Sequence, residues 1–133
     1  MTPRAAFRST LELIAQGQHV SLTTFRKDGR AVATPLWFVR EGGQLIVMTA
    51  PDSGKVKRLR KNSHVVIAPC DSRGRITDGA PSAEATARLM DTTETARAHK
   101  LMVRKHLLVR LADWWDRVRR RRRPWIGIAV TDN

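Results

Sequence analysis

Two tight turns, Asp28-Gly29 and Gly42-Gly43, lie between short runs rich in β-branched and aromatic residues, and they leave the first half of the chain few ways to fold. Asp and Gly tolerate the positive φ that a two-residue hairpin needs, so each turn reverses a strand within a few residues. His19–Phe25 alternates Val20 and Leu22 with Ser21 and Thr23, Ala31–Val39 returns, and Gln44–Thr49 follows the second turn. These runs predict a three-stranded antiparallel meander. An amphipathic helix over residues 4–16 precedes it, with Phe7, Leu11 and Ile14 on one face.

The second half adds three more strands. His64–Pro69 is apolar on both faces. Ser82–Met90 alternates Ala83, Ala85, Ala87 and Leu89 with Glu84, Thr86, Arg88 and Met90, and alanines on one face call for a bulky neighbour. Asp91-Thr-Thr-Glu94 has capping-box spacing and starts a helix to about His106. A further helical stripe follows through Leu107, Leu108, Leu111, Trp114, Trp115 and Val118, then five arginines at 119–123, Pro124, and a last strand over Trp125–Thr131. Six strands joined by tight turns give an α+β domain, mainly β, that removes its exposed edges by closing into an antiparallel barrel. With 133 residues and no repeat or linker, residues 1–133 form one domain.

Between the meander and the fourth strand lies Thr49-Ala-Pro-Asp-Ser-Gly-Lys-Val-Lys-Arg-Leu-Arg-Lys-Asn62. Asp52 or Ser53 caps a short helix whose first amides lack helical partners and carry the positive end of the dipole. Lys55, Lys57, Arg58, Arg60 and Lys61 stand against the single acid Asp52, while Val56 and Leu59 anchor the helix to the core. Hydroxyls, free amides and cations converging there suit a phosphate or polycarboxylate, and the alternative reading is a solvated basic helix that only confers solubility. Pro35, in the second strand, cannot donate to a ladder and marks an edge or a bulge; by itself it reads as an ordinary edge strand, the alternative being backbone groups left free for a flat heterocycle.

Other chemistries find little footing. The four histidines are scattered and Cys70 is the lone thiol, so no metal set or nucleophilic pair has local support. Cys70 reads as a small buried residue at a strand end. Asp71 and Asp78 read as turn formers. There is no dinucleotide glycine motif and no Walker lysine motif. A net charge of +13 attracts anions of any kind, but aromatics for base stacking are sparse, which argues against nucleic acid. No apolar run spans a bilayer, and Arg4 and Arg8 followed by Glu12 and Gln16 do not make a signal peptide, so the expected location is cytoplasmic.

Jointly, Val20-Ser-Leu-Thr-Thr-Phe25, Asp28-Gly29, Ala33-Thr-Pro-Leu-Trp-Phe38, Leu45-Ile-Val-Met-Thr49, Ser53-Gly-Lys-Val-Lys-Arg-Leu-Arg-Lys61, Val65–Cys70 and Glu84-Ala-Thr-Ala-Arg-Leu89 resemble a known family in order and spacing. It is the pyridoxamine 5'-phosphate oxidase-like split-barrel proteins, in the actinobacterial branch that uses the deazaflavin coenzyme F420, and the likeness covers residues 5–131. The resemblance implies a homodimeric six-stranded split β-barrel of the FMN-binding type, with a cofactor groove along the subunit interface. It implies that the ring lies against Thr34, Pro35, Leu36 and Trp37. It implies that the phosphorylated tail is held by Thr49, Ser53, Gly54, Lys55, Lys57 and Arg58. The implied activity is hydride transfer from reduced F420 to an unsaturated or electron-poor small molecule, with no covalent catalyst on the protein. FMN, a tetrapyrrole, or cofactor carriage without turnover are the alternatives. The chain departs from its relatives in having no tyrosine and in following Arg104-Lys105 with His106-Leu107.

Overall fold

The computed structural model describes residues 2–76, 78–106, 111, 114 and 125–132. Its elements run α1 (Pro3–Ile14), β1 (His19–Phe25), β2 (Ala31–Glu41), β3 (Gln44–Thr49), α2 (Gly54–Lys61), β4 (His64–Cys70), β5 (Ala83–Leu89), α3 (Thr92–Lys105) and β6 (Ile126–Thr131). The strands close into a barrel in the order β1-β2-β3-β6-β5-β4, every neighbouring pair antiparallel. This is the six-stranded antiparallel barrel anticipated above. The stripe at 107–118 and the arginines at 119–123 lie outside the described residues, apart from Leu111 and Trp114, which are helical and exposed.

Side-chain alternation divides the core into two layers. Val20, Leu22, Phe38, Leu45, Val47, Val65, Ile67, Ile128 and Val130 fill the barrel. Phe7, Leu11 and Ile14 of α1 join that layer against β4 and β5, where Ala83, Ala85 and Ala87 leave room for them. The helix is therefore the bulky neighbour that the alanines required. Outside the barrel, Ala98 and Met102 of α3 cover Val39, Ile46, Met48 and Ala129. Each fully buried large side chain contributes about 1.5–3 kcal/mol through removal of apolar surface from water.

Local chemistry sets the element ends. Asp91 accepts the Glu94 N–H at 2.8 Å while Glu94 accepts the Asp91 N–H at 3.1 Å, completing the capping box. Helix α1 stops at Ile14, two residues short of the expected end, because Gln16 and Gly17 donate to Leu13 and Ile14 in tighter turns. Strand β2 runs two residues past the expected Val39, since Glu41 still pairs Gln44 across the second turn.

Strand β2 changes partners midway. Ala31–Trp37 pair only with β1, and Phe38–Glu41 pair only with β3. Pro35 sits in continuous register opposite Ser21, so it makes no bulge there, but its stretch is an edge on the β3 side. Beyond the Phe38–Val47 pair the strands part, β2 toward Trp37 and Leu36, β3 toward Met48 and Thr49. Met48 and Thr49 continue to pair with β6. The barrel is split along this seam.

Candidate functional site

The chain leaving the seam at Thr49 turns through Ala50–Ser53 into α2. The Thr49 hydroxyl donates to Ser53 Oγ at 3.4 Å, and Ser53 Oγ accepts the Val56 N–H at 3.4 Å. Ser53, not Asp52, is thus the helix cap. Val56 and Leu59 are buried, which turns Lys57, Arg60 and Lys61 outward and leaves Lys55 and Arg58 half-buried. Burial, followed by the nearby Arg58 charge, pushes the Lys55 ammonium below its usual pKa.

Arg58 turns back across the helix start. Its Nε–H donates to the hydroxyl of Thr24 in β1 at 2.7 Å. Its guanidinium lies over Gly54: a Cβ there would sit 2.8 Å from Nη1. A helix start, a lysine and an arginine therefore crowd together, and no close ion pair among the described residues joins Lys55 or Arg58 to a carboxylate. Among the described residues, the close acid–base pairs occupy Glu12, Asp28, Glu41, Asp71, Glu84, Glu94 and Asp132, and none takes a cation of α2.

A groove of about 960 Å³ opens beside this cluster. Gly54, Lys57, Arg58, Lys61 and Asn62 line one wall, and Phe25–Asp28 with Arg30 from the β1–β2 turn line the other. Asp28, the groove's one acid, is held by Arg30 at 2.7 Å, and its carboxyl lies below the usual range through backbone and side-chain hydrogen bonds from Arg30. The remaining lining charges are all positive. Such a concave surface concentrates anions, because each added cation raises the local potential.

Thr34, Pro35, Leu36 and Trp37 do not line this groove; they stand on the unpaired edge of β2. Leu36 packs into the barrel and Trp37 packs outward against the α3 layer. The loop after β4 covers Pro35: a Cβ on Gly74 would meet its ring at 3.4 Å, and φ of +84° independently favours glycine there. Asp71 forms this loop by accepting the N–H groups of Arg73 and Arg75, each at 2.9 Å, as its turn role required. Cys70 is half-buried rather than buried, and burial raises its thiol pKa.

The seam holds a second cluster that the sequence did not point to. His106 is buried and stacks on Trp37 with ring centroids 5.2 Å apart and planes 6° from parallel. Its Nε2 lies 2.8 Å from the Phe38 carbonyl; a carbonyl only accepts, so this nitrogen carries the proton. Burial pushes the His106 pKa down, and Lys105 and His19 push the same way against the Phe38 bond. Lys105 places its ammonium 3.7 Å from the centre of the Phe38 ring. The signal for the groove's far wall was present, since Arg26, Lys27 and Arg30 flank Asp28-Gly29. Nothing local linked Thr24 to Arg58 or His106 to Phe38, which are 34 and 68 residues apart.

No helix among the described residues is long and apolar enough to cross a membrane, and no three His, Cys, Asp or Glu among them group as metal ligands. A family model described as pyridoxamine 5'-phosphate oxidase matches residues 8–124. Among solved structures, the chain is similar to the haem storage protein HutZ from Vibrio cholerae, at 14% identity over 94% of this chain and 88% of that one, with a TM-score of 0.67. It is similar to a pyridoxamine 5'-phosphate oxidase-type protein from Listeria innocua at 17% identity, covering 96% and 93%, with a TM-score of 0.62. It is also similar to an F420 reductase at 17% identity, covering 92% and 91%, with a TM-score of 0.54. At these identities the likeness is one of fold. No curated protein matches the chain.

Proposed function

The chain belongs to the pyridoxamine 5'-phosphate oxidase family, a family of flavin-type cofactor binders that includes oxidoreductases, and from that premise we propose that it is a coenzyme F420-dependent reductase. When bound, the deazaflavin supplies a hydride to an unsaturated or electron-poor small molecule. The observation that carries this reading is the groove: among the described residues, Arg30 is the one lining cation in a close ion pair, with Asp28. A single phosphate is satisfied by the capped start of α2 with Arg58. The further cations Lys57, Lys61, Arg26 and Lys27 favour a ligand with several anionic groups, and they support F420 with its polycarboxylate tail over FMN.

In this reading Thr49, Ser53, Gly54, Lys55, Lys57 and Arg58 hold the phosphorylated tail, and the edge Thr34–Trp37 receives the ring. The unpaired backbone of that edge offers hydrogen bonds, and the stacked Trp37 and His106 form a rigid wall that excludes water. His106 Nε2–H is committed to Phe38, so the imidazole orients rather than protonates at that atom. A homodimer covering the open seam, working in the cytoplasm, completes the proposal.

The test is a fluorescence titration of the purified protein with F420 and with FMN at physiological salt. Micromolar binding of F420, tighter than that of FMN, is expected. Lys55→Ala should weaken intact F420 about tenfold, as removal of a charged contact does, and leave its tail-less ring fragment unchanged. Tighter FMN binding would transfer the reading to a flavin enzyme. Failure of both ligands would remove it.

A further inference from the structure

The inward face of β1 runs Val20, Leu22, Thr24, and the last of these is a hydroxyl with no exposed surface. A buried hydroxyl is costly unless it is bonded, so its partner says why it is there. That partner comes from outside the barrel: Arg58 Nε–H, at 2.7 Å. We propose that Thr24 is a positioning residue that aims the Arg58 guanidinium at an oxyanion held over the start of α2. The inference rests on the anion-site reading above and adds to it the residue that fixes the direction of approach.

Three observations carry it. Gly54 lacks the Cβ that would lie 2.8 Å from Nη1 and 3.5 Å from Cζ, so the guanidinium rests on the first residue of α2. Among the described residues no carboxylate forms a close ion pair with Arg58, although the positive helix end and Lys55 lie beside it. A cation locked among like charges is electrostatically uphill until an anion joins them. Finally, Thr24 occupies Nε, which leaves Nη1 and Nη2 as the free edge of a rigid planar fork. That edge matches two oxygens of one phosphate or carboxylate. A lysine could reach the anion or Thr24, but not hold both in a fixed geometry.

The probe is inorganic pyrophosphate, titrated calorimetrically so that the test does not depend on which cofactor the protein uses. Thr24→Val keeps the shape, removes the acceptor and should weaken pyrophosphate about tenfold, whereas Thr24→Ser should stay within about twofold of the parent. In the Arg58→Ala background Thr24→Val should change nothing further, since the residue it positions is gone. Unchanged affinity in Thr24→Val, an undiminished effect in the Arg58→Ala background, or no pyrophosphate binding by the parent protein would each overturn the proposal. Should Thr24→Val fail to fold, the Arg58 side-chain protons of the parent decide. Pyrophosphate should shift the Nη resonances while the Nε–H stays protected from exchange, and an exposed Nε–H rejects the proposal. Coupled pyrophosphate binding in a protein that takes neither F420 nor FMN would remove the cofactor reading and leave Thr24 in its role.

Discussion

Glu94 receives two hydrogen bonds from the Arg88 guanidinium, at 2.9 and 2.7 Å, and a third from the Asp91 backbone. The Arg88 bonds, then the Asp91 bond, lower its pKa from 4.5 to about 2. A depressed folded-state value means that its stabilising contribution is whole above pH 4.5 and is lost as pH falls through about 2. Glu94→Gln should therefore lower the urea midpoint at neutral pH, and the gap from the parent should close as pH falls across that window. A gap that is constant with pH would mean that the carboxylate charge is not what Arg88 holds. At the same scale, the helix cap at Ser53 was legible because it is local: its Oγ accepts the N–H of Val56, three residues on. Thr24 was not, because a threonine in a strand alternation looks like any other β-branched residue until its partner is known.

Gly127 joins two elements. Its N–H donates to Thr95 of α3 at 3.1 Å, its carbonyl accepts from Met90, and a Cβ on it would lie 2.6 Å from the Met90 sulfur. Gly127→Ala should cost about 1–3 kcal/mol in chemical denaturation through this overpacking. Met90→Ala in the same chain should restore part of the loss, and a Gly127→Ala protein as stable as its parent would rule out tight docking of β6 on the α3 start. Elements were the most legible scale of the sequence. Turns at Asp28-Gly29 and Gly42-Gly43 act within a few residues, and the alternation of β5 reports its own burial, so β1 and β3 fell where the residues said and β5 came one residue short at each end of the expected Ser82–Met90. The partner exchange of β2 at Trp37–Phe38 was not visible, because Pro35 signals a lost donor without saying which edge is open. The seam cluster was hidden for a related reason: His106 reads as a helix end until the fold lays it on Trp37.

Among the described residues, no close ion pair takes a cation of α2, and the groove keeps a surplus of positive charge. Sulfate should therefore raise the melting temperature more than chloride at equal ionic strength. Binding to the folded state alone contributes about 2.7 kcal/mol at a hundredfold excess over Kd. Because sulfate also strengthens burial generally, the decisive comparison is Lys57→Ala with Lys61→Ala, in which the sulfate advantage should shrink. An equal advantage in that variant would place the bound anion elsewhere.

The order in which the barrel closes has its own consequence. Strand β6 pairs with both β3 and β5, so the ring is incomplete until residues 126–131 arrive. During synthesis five strands leave the ribosome before the sixth, with the flanks of β3 and β5 bare. Long-range pairings of this kind form slowly, and bare flanks recruit other chains. The nascent protein therefore passes through a window in which the two strands that β6 will later join stand unpaired and open to other chains.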